Sequence, residues 1–225
     1  MNNIHPTAVI DDRVKLGKNN VIHPYTVIYG PTEIGDNNII GPHVVIGTPG
    51  EDTKNPRHDA SNMPIYIGNN NIIREFSVIQ KPCYETETRL MNDVFLMHGV
   101  HIPHDAFLDD KVVVTPLCVV GGIAKLLEGA NLGMGCTIHQ YSVIGQFSIV
   151  ATGAAVLKNV KPFSRFIPGK PISVNSYAIK KYGYEEYTEE ITKYVLEGMA
   201  PKSEKFGAII EKYNKYHIDS KREQY

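Results

Sequence analysis

Aliphatic side chains recur along this chain at every sixth residue. Ile4, Ile10, Leu16, Ile22, Ile28, Ile34, Ile40 and Ile46 keep the spacing without a miss, and Ile67, Ile73 and Ile79 resume it after a polar break. Leu90, Leu96, Ile102, Leu108, Val114, Val120, Leu126, Leu132, Ile138, Ile144, Val150 and Val156 then carry it on unbroken. The residue four places after each of these is mostly small, as at Ala8, Ala106, Cys118, Ala124, Ala130, Cys136, Ser142, Ser148 and Ala154. An amphipathic helix repeats at about 3.6 residues and a half-buried strand at 2, so neither produces a period of six. The pattern predicts a solenoid of short strands joined by tight turns. The large aliphatic fills the interior, the small residue sits beneath a corner, and each rung satisfies its neighbour's backbone through a hydrogen-bond ladder.

Two segments break the period. Residues 47–66 (GTPGEDTKNPRHDASNMPIY) and 82–89 (PCYETETR) are polar and are expected to leave the solenoid as loops, where a rigid scaffold often carries function. The coil is expected to close near Pro162, Pro168 and Pro171. Residues 1–172 therefore read as the solenoid and 173–225 as a C-terminal helical region. Within that region 176–197 and 203–216 read as two helices, separated by Gly198 and Pro201, with Ser203 as N-cap.

The hexapeptide signature resembles that of the left-handed parallel β-helix, which implies an all-β architecture with a small α appendage. In that fold three hexads make one triangular turn of 18 residues, so positions 18 apart stack.

Composition narrows the function. A net charge of -1 over 225 residues gives no electrostatic case for nucleic acid or an anionic membrane. The chain carries no apolar run of roughly 20 residues and no signal-peptide pattern at its start, so no membrane span and a cytoplasmic location are expected. Cys83, Cys118 and Cys136 form no CxxC, and Cys118 and Cys136 fall at inward small positions, as structural thiols would. Eight of the 13 tyrosines lie at or beyond Tyr177, which separates the tail from the coil.

The 18-residue rule places candidate chemistry. His104, Gly122 and Gln140 are third residues of successive turns and should share one edge, with His104 and Gln140 roughly 10 Å apart at about 4.8 Å per rung. Glycine leaves the gap between them without a side chain, so an imidazole would face an exposed backbone N–H. Acyl transfer needs such parts: a base to take the acceptor proton and a donor for the thioester oxyanion. Asp105 follows His104 directly and is placed to fix its tautomer. No Ser or Cys nucleophile elbow is present, which favours direct attack over a covalent acyl-enzyme. His98, His101 and His104 also raise a zinc reading, in which the chain would hydrate carbon dioxide as some hexapeptide-repeat proteins do, but the HxxHxxH spacing does not match that group and no metal ligand set is assigned.

Residues 96–106 (LMHGVHIPHDA) and 138–140 (IHQ) resemble the UDP-N-acetylglucosamine O-acyltransferase family of lipid A synthesis. The likeness extends to DTK at 52–54, NIIRE at 71–75 and VNSYAIKKYGY at 174–184. It implies that His104 is the general base with Asp105 beside it, and that the Gly122 N–H forms the oxyanion hole. It further implies that His101, His139 and Gln140 touch substrate, that Asp52 and Lys54 help hold the acceptor, and that Asn175 and Lys181 grip the donor arm and nucleotide phosphates. The same likeness implies a homotrimer with clefts between subunits. It implies no tightly bound cofactor, an acyl thioester of acyl carrier protein or coenzyme A as donor, and a nucleotide-activated amino sugar as acceptor. Departures fall on recognition: Ile123 and Gln80 stand where the family often has His, Tyr182 replaces a basic residue, and the helical tail is short. In the family this resembles, the position of Thr152, on the edge of His98, Pro116 and Met134, limits acyl length, so the resemblance implies a shorter acyl chain. N-acylation of a different nucleotide sugar from a short acyl-CoA is therefore the alternative reading.

Overall fold

The computed structural model describes residues 1–52, 54 and 62–225. The hexads form short parallel strands, mostly of two or three residues, that wind into a prism with three faces. Face A begins at Asn3–Ile4 and has ten strands, face B begins at Val9–Ile10 and has eight, and face C begins at Val14–Leu16 and has seven. Pairing runs at one turn throughout the uninterrupted stretch, with Phe95 opposite Val113, His101 opposite Val119 and Phe107 opposite Lys125. The periodic aliphatics are the interior: Ile22 through Ile46, Ile65 through Ile79 and Leu90 through Val156 form one buried core. Burying each such side chain contributes about 1.5–3 kcal/mol.

The turns have one conformational demand that the period does not reveal. The fourth residue of nearly every hexad takes positive φ, from Asn19 at 58° to Tyr141 at 64°. Asn and Gly meet that demand cheaply at Asn19, Asn37, Gly99 and Gly135, whereas Tyr25, Phe76, Asp105, Leu117 and Ile123 are held there against their preference. Cys118 and Cys136 lie fully buried beneath corners, with each thiol against a backbone carbonyl, Gly133 O at 3.2 Å and Ala151 O at 3.0 Å.

Both interruptions leave from the same corner, between faces B and C. They are narrower than the break in periodicity: the strand Val45–Thr48 runs on past Ile46, Ile65–Ile67 resumes before the polar run ends, and Thr88–Leu90 already pairs with Ile65–Ile67. The last coil strand, Ser164–Phe166, turns back antiparallel onto Ser173–Val174.

The tail contains α1 (Ser176–Lys181), a short 3-10 turn (Glu185–Tyr187), α2 (Thr188–Glu197) and α3 (Glu204–Ser220). The continuous helix expected over 176–197 is therefore broken. Gly183 takes φ 71°, and the break lets Tyr184 pack between Phe147 and Phe163. Gly198 does end α2, in the left-handed conformation with its N–H on the Tyr194 and Lys193 carbonyls. Ser203 occupies the N-cap of α3 but does not cap it; its hydroxyl is turned to Glu190, at 2.7 Å. Helix α3 continues past 216 to Ser220 and covers the lower part of face C, where Tyr213 is buried against Leu127 and Val143 and Tyr216 stacks on Phe107 at 5.7 Å.

Candidate active site

The corner between faces B and C places three chemical parts on successive turns. After Ile46 and Ile79 the chain leaves the prism in loops; after Ile102, one turn below, it turns tightly through His104 and Asp105. Below them the corner is regular. The His104 carbonyl accepts the Ile123 N–H at 3.1 Å and the Gly122 carbonyl accepts the Tyr141 N–H at 2.9 Å, so His104, Gly122 and Gln140 form one column.

Asp105 is fully buried and is the anchor of the site. Its carboxylate accepts backbone N–H groups from Cys83, Tyr84 and Glu85 of the second loop, at 2.8 to 3.2 Å, and the His104 Nδ1–H at 2.7 Å. Burial pushes the carboxyl upward, but the bonds from His104 and from the Tyr84, Glu85 and Cys83 amides outweigh it and hold Asp105 below its ordinary value. An ionised Asp105 fixes the proton of His104 on Nδ1 and leaves the Nε2 lone pair free. Lys125 closes the loop from the far side, bonding Glu85 at 2.7 Å and the Asp105 carbonyl at 3.1 Å.

Glycine is required twice around the imidazole. A Cβ on Gly122 would lie 2.4 Å from His104 Cε1 and 2.6 Å from Nε2, so the ring lies directly over the Gly122 backbone. The Gly122 N–H donates to no backbone carbonyl among the described residues. A Cβ on Gly50 would meet Cys83 Sγ at 2.4 Å and His104 Cβ at 2.8 Å, which is how the first loop approaches the second.

Asp52 joins this assembly through Tyr84, whose hydroxyl donates to its carboxylate, while the Lys54 N–H donates to the other oxygen at 3.0 Å. The Tyr84 bond, then the Lys54 amide, hold Asp52 below the usual carboxylate range. The Tyr84 ring lies 5.8 Å from that of His104. Tyr84 and Gly50 carry no sequence signal for these roles: neither falls on the hexad period, and both act through a loop whose return path the period does not encode. Thr53 of the DTK motif lies outside the described residues.

The three clustered histidines do not converge. His98 turns out at the corner between faces A and B, His101 projects from face B, and His104 stands at the corner between B and C. Among the described residues no three His, Cys, Asp or Glu side chains gather as a metal ligand set. His101 Nε2 is buried without a hydrogen-bond partner among the described residues, 4.0 Å from Glu51, and burial above all lowers its basicity. Gln140 is exposed, and His139 Nδ1 accepts from Arg222 at 2.6 Å. Asn175 and Lys181 stand apart from His104 within this chain. Asn175 caps α1 and donates to the Phe147 carbonyl at 2.8 Å, and the Lys181 ammonium lies 5.0 Å from the Tyr182 ring.

A buried carboxylate that orients an imidazole over a bare backbone N–H, beside a polar loop, can accept a proton and stabilise an oxyanion in one place. Comparison with known proteins gives this geometry a context. Residues 13–48 match the family described as bacterial transferase hexapeptide (six repeats). A solved UDP-N-acetylglucosamine acyltransferase from Campylobacter jejuni superposes with a TM-score of 0.81 at 22% identity, covering 99% of this chain and 98% of that one. The fold is that of the UDP-N-acetylglucosamine acyltransferases, a left-handed parallel β-helix. The corresponding protein of Bacteroides fragilis gives a TM-score of 0.71 at 24% identity, with 99% of both chains covered. In sequence the chain is similar to an acyl-[acyl-carrier-protein]–UDP-N-acetylglucosamine O-acyltransferase of Herminiimonas arsenicoxydans, 29% identical over 67% of this chain. A namesake in Gloeothece citriformis is 32% identical over 61% of this chain. The chain spans 61% of the length of the first relative and 51% of the second.

Proposed function

We propose that this protein is an acyltransferase that moves an acyl group from a thioester, of acyl carrier protein or coenzyme A, to a nucleotide-activated amino sugar such as UDP-N-acetylglucosamine. The observation that carries the reading is the Asp105–His104–Gly122 arrangement. His104 Nε2 takes the proton from the acceptor hydroxyl or amine as that atom attacks the thioester carbon. The Gly122 N–H receives the developing oxyanion, and collapse expels the thiol, which recovers the proton from His104. Asp105 stays ionised throughout and stabilises the imidazolium. Relatives named as UDP-N-acetylglucosamine O-acyltransferases support this substrate class. In this reading Asp52, Lys54, His101, His139 and Gln140 hold the acceptor on the same corner. Incubation with UDP- and dTDP-amino sugars and a panel of acyl-CoA and acyl carrier protein thioesters, with products read by mass spectrometry, tests it. An acylated nucleotide sugar is the expected product; none with any pair would sink the reading.

The working unit is a homotrimer. Face C is polar and self-paired, as in Lys15–Glu33 and Lys125–Glu85, and α3 covers part of it. Faces A and B instead present apolar side chains outward: Val21, Ile39, Ile72, Phe95 and Val113 on A, and Val9, Val27, Val45, Val78 and Val119 on B. Between them runs an exposed apolar edge of Tyr25, Phe76 and Leu117, with His43 stacked between the two rings. A two-fold pairing of one face with itself would leave the other bare. Face A of one copy on face B of the next covers both and closes as a ring. His104 then stands at the outer rim of the A–B contact, with Asn175 and Lys181 available to a neighbouring subunit's site. Light scattering should give three times 25.1 kDa. A stable, active monomer would refute the assignment.

A further inference from the structure

Below His104 the same corner continues past Gly122 and Gln140 to Lys158, the third residue of the hexad that opens at Val156. The end of the chain returns to this point. Gln224 bridges to Asn159, the Asn159 N–H donates to the Glu223 carbonyl at 2.8 Å, and the Leu157 N–H donates to the Tyr225 hydroxyl at 3.0 Å. The tail thereby delivers Lys221 and Arg222 beside Lys158. The three cations border a hollow of about 460 Å³ that Tyr141, Leu157, Ser220 and Glu223 complete. Among the described residues Glu223 is the one carboxylate on its lining and it pairs with Lys158, so the rim keeps an excess of positive charge.

Arg222 is held for presentation. One guanidinium nitrogen donates to the Leu157 carbonyl at 2.8 Å and the other to His139 Nδ1 at 2.6 Å, while Nε is buried without a hydrogen-bond partner among the described residues. His139 Nδ1 accepts this bond and thereby orients the guanidinium. An arginine fork and an ammonium on one hollow are a donor set for phosphate oxygens.

Lys158 stands three rungs below His104, about 14 Å along the corner at 4.8 Å per rung. A pyranose ring and a diphosphate in series bridge such a span.

We propose that Lys158 and the tail residue Arg222, oriented by His139, form the diphosphate subsite for the nucleotide-activated acceptor, so that this chain reads the nucleotide with its own tail. The assignment rests on the acceptor class proposed above.

Calorimetry on the intact protein with UDP, uridine, inorganic pyrophosphate and coenzyme A tests it. UDP should bind at least about tenfold more tightly than uridine, and pyrophosphate should displace it, because the phosphates supply the charge-assisted bonds. Lys158→Ala and Arg222→Ala should each weaken UDP about tenfold, and Arg222→Lys, which keeps the cation, should recover part of the loss. Glu223→Gln should tighten UDP by a few fold, since it removes the competing carboxylate from Lys158; a merely structural tail would not respond this way. Equal affinity for UDP and uridine would overturn the proposal, as would Lys158→Ala and Glu223→Gln both leaving UDP within twofold of the parent. Displacement of UDP by coenzyme A with the same dependence on Lys158 and Arg222 would assign the hollow to the donor and also overturn it. If UDP and pyrophosphate bind as expected but no nucleotide sugar is ever acylated, the subsite stands and the acyl-transfer reading falls.

Discussion

Replacement of His104 by Ala is expected to lower kcat by about 10²–10⁴ while the assembly stays folded, since a positioned general base contributes on that scale. Folding should survive because Asp105 keeps its three backbone donors from Cys83, Tyr84 and Glu85 when the imidazole is gone. The loss should fall on kcat more than on acceptor KM, because the proton is taken only as the new bond forms. His101→Ala should cost less and act more on KM: its ring projects from face B, its Nε2 is buried without a hydrogen-bond partner among the described residues, and burial makes it a poor base. Gly122→Ala provides a second arm. The added carbon would sit 2.4 Å from His104 Cε1, so the ring must leave its place, and activity should fall although every ionisable group remains. Near-normal kcat in His104→Ala would remove the base. Activity that tracks bound zinc and dies with a chelator would restore the metal reading in its place.

The sequence made the scaffold and the column legible for the same reason. A solenoid converts spacing into position, so a period of six and a turn of 18 residues suffice to stack His104, Gly122 and Gln140. The same rule failed where contacts leave the period. Asp105 was legible as a neighbour of His104, but its three amide donors come from a loop about 20 residues earlier, and nothing in PCYETETR announces that its N–H groups point inward. Tyr84 and Gly50 were invisible on the same ground. The positive φ at the fourth hexad position was hidden because Tyr, Phe, Leu and Ile occupy it as well as Asn and Gly. In the tail, Gly183 was a readable break that lay inside a helix-like pattern; the packing of Tyr184 against Phe147 and Phe163 decided the matter. Arg222 reaches the site only because the chain folds back on Leu157 and Asn159, a tertiary event with no local signature.

Asp105→Asn should be nearly as damaging as loss of His104, and it separates orientation from proton transfer. An amide keeps the size of the carboxylate but turns one oxygen into a donor. It cannot accept all three loop N–H groups and the His104 Nδ1–H together. If the amide nitrogen faces His104, the imidazole must accept at Nδ1 and carry its proton on Nε2, which leaves no lone pair for the acceptor. A fall in kcat on the order of 10² or more is expected, with bound substrate affinity less affected. Stability should fall as well, by about 2–3 kcal/mol at neutral pH, since hydrogen bonds to a charged group carry roughly 1.5–3 kcal/mol. The pH dependence gives the sign. The folded carboxyl of Asp105 lies below its ordinary value near 3.9, so its contribution is fully present above that value and is lost as pH falls through the lower, folded one. Asparagine does not titrate. The gap in stability between the parent and Asp105→Asn should therefore be constant from pH 7 down to about 4 and close progressively below it. Denaturant unfolding at a series of pH values would read this directly. A gap that stays constant through the acid range would mean that Asp105 does not carry the charge on which the orientation of His104 depends.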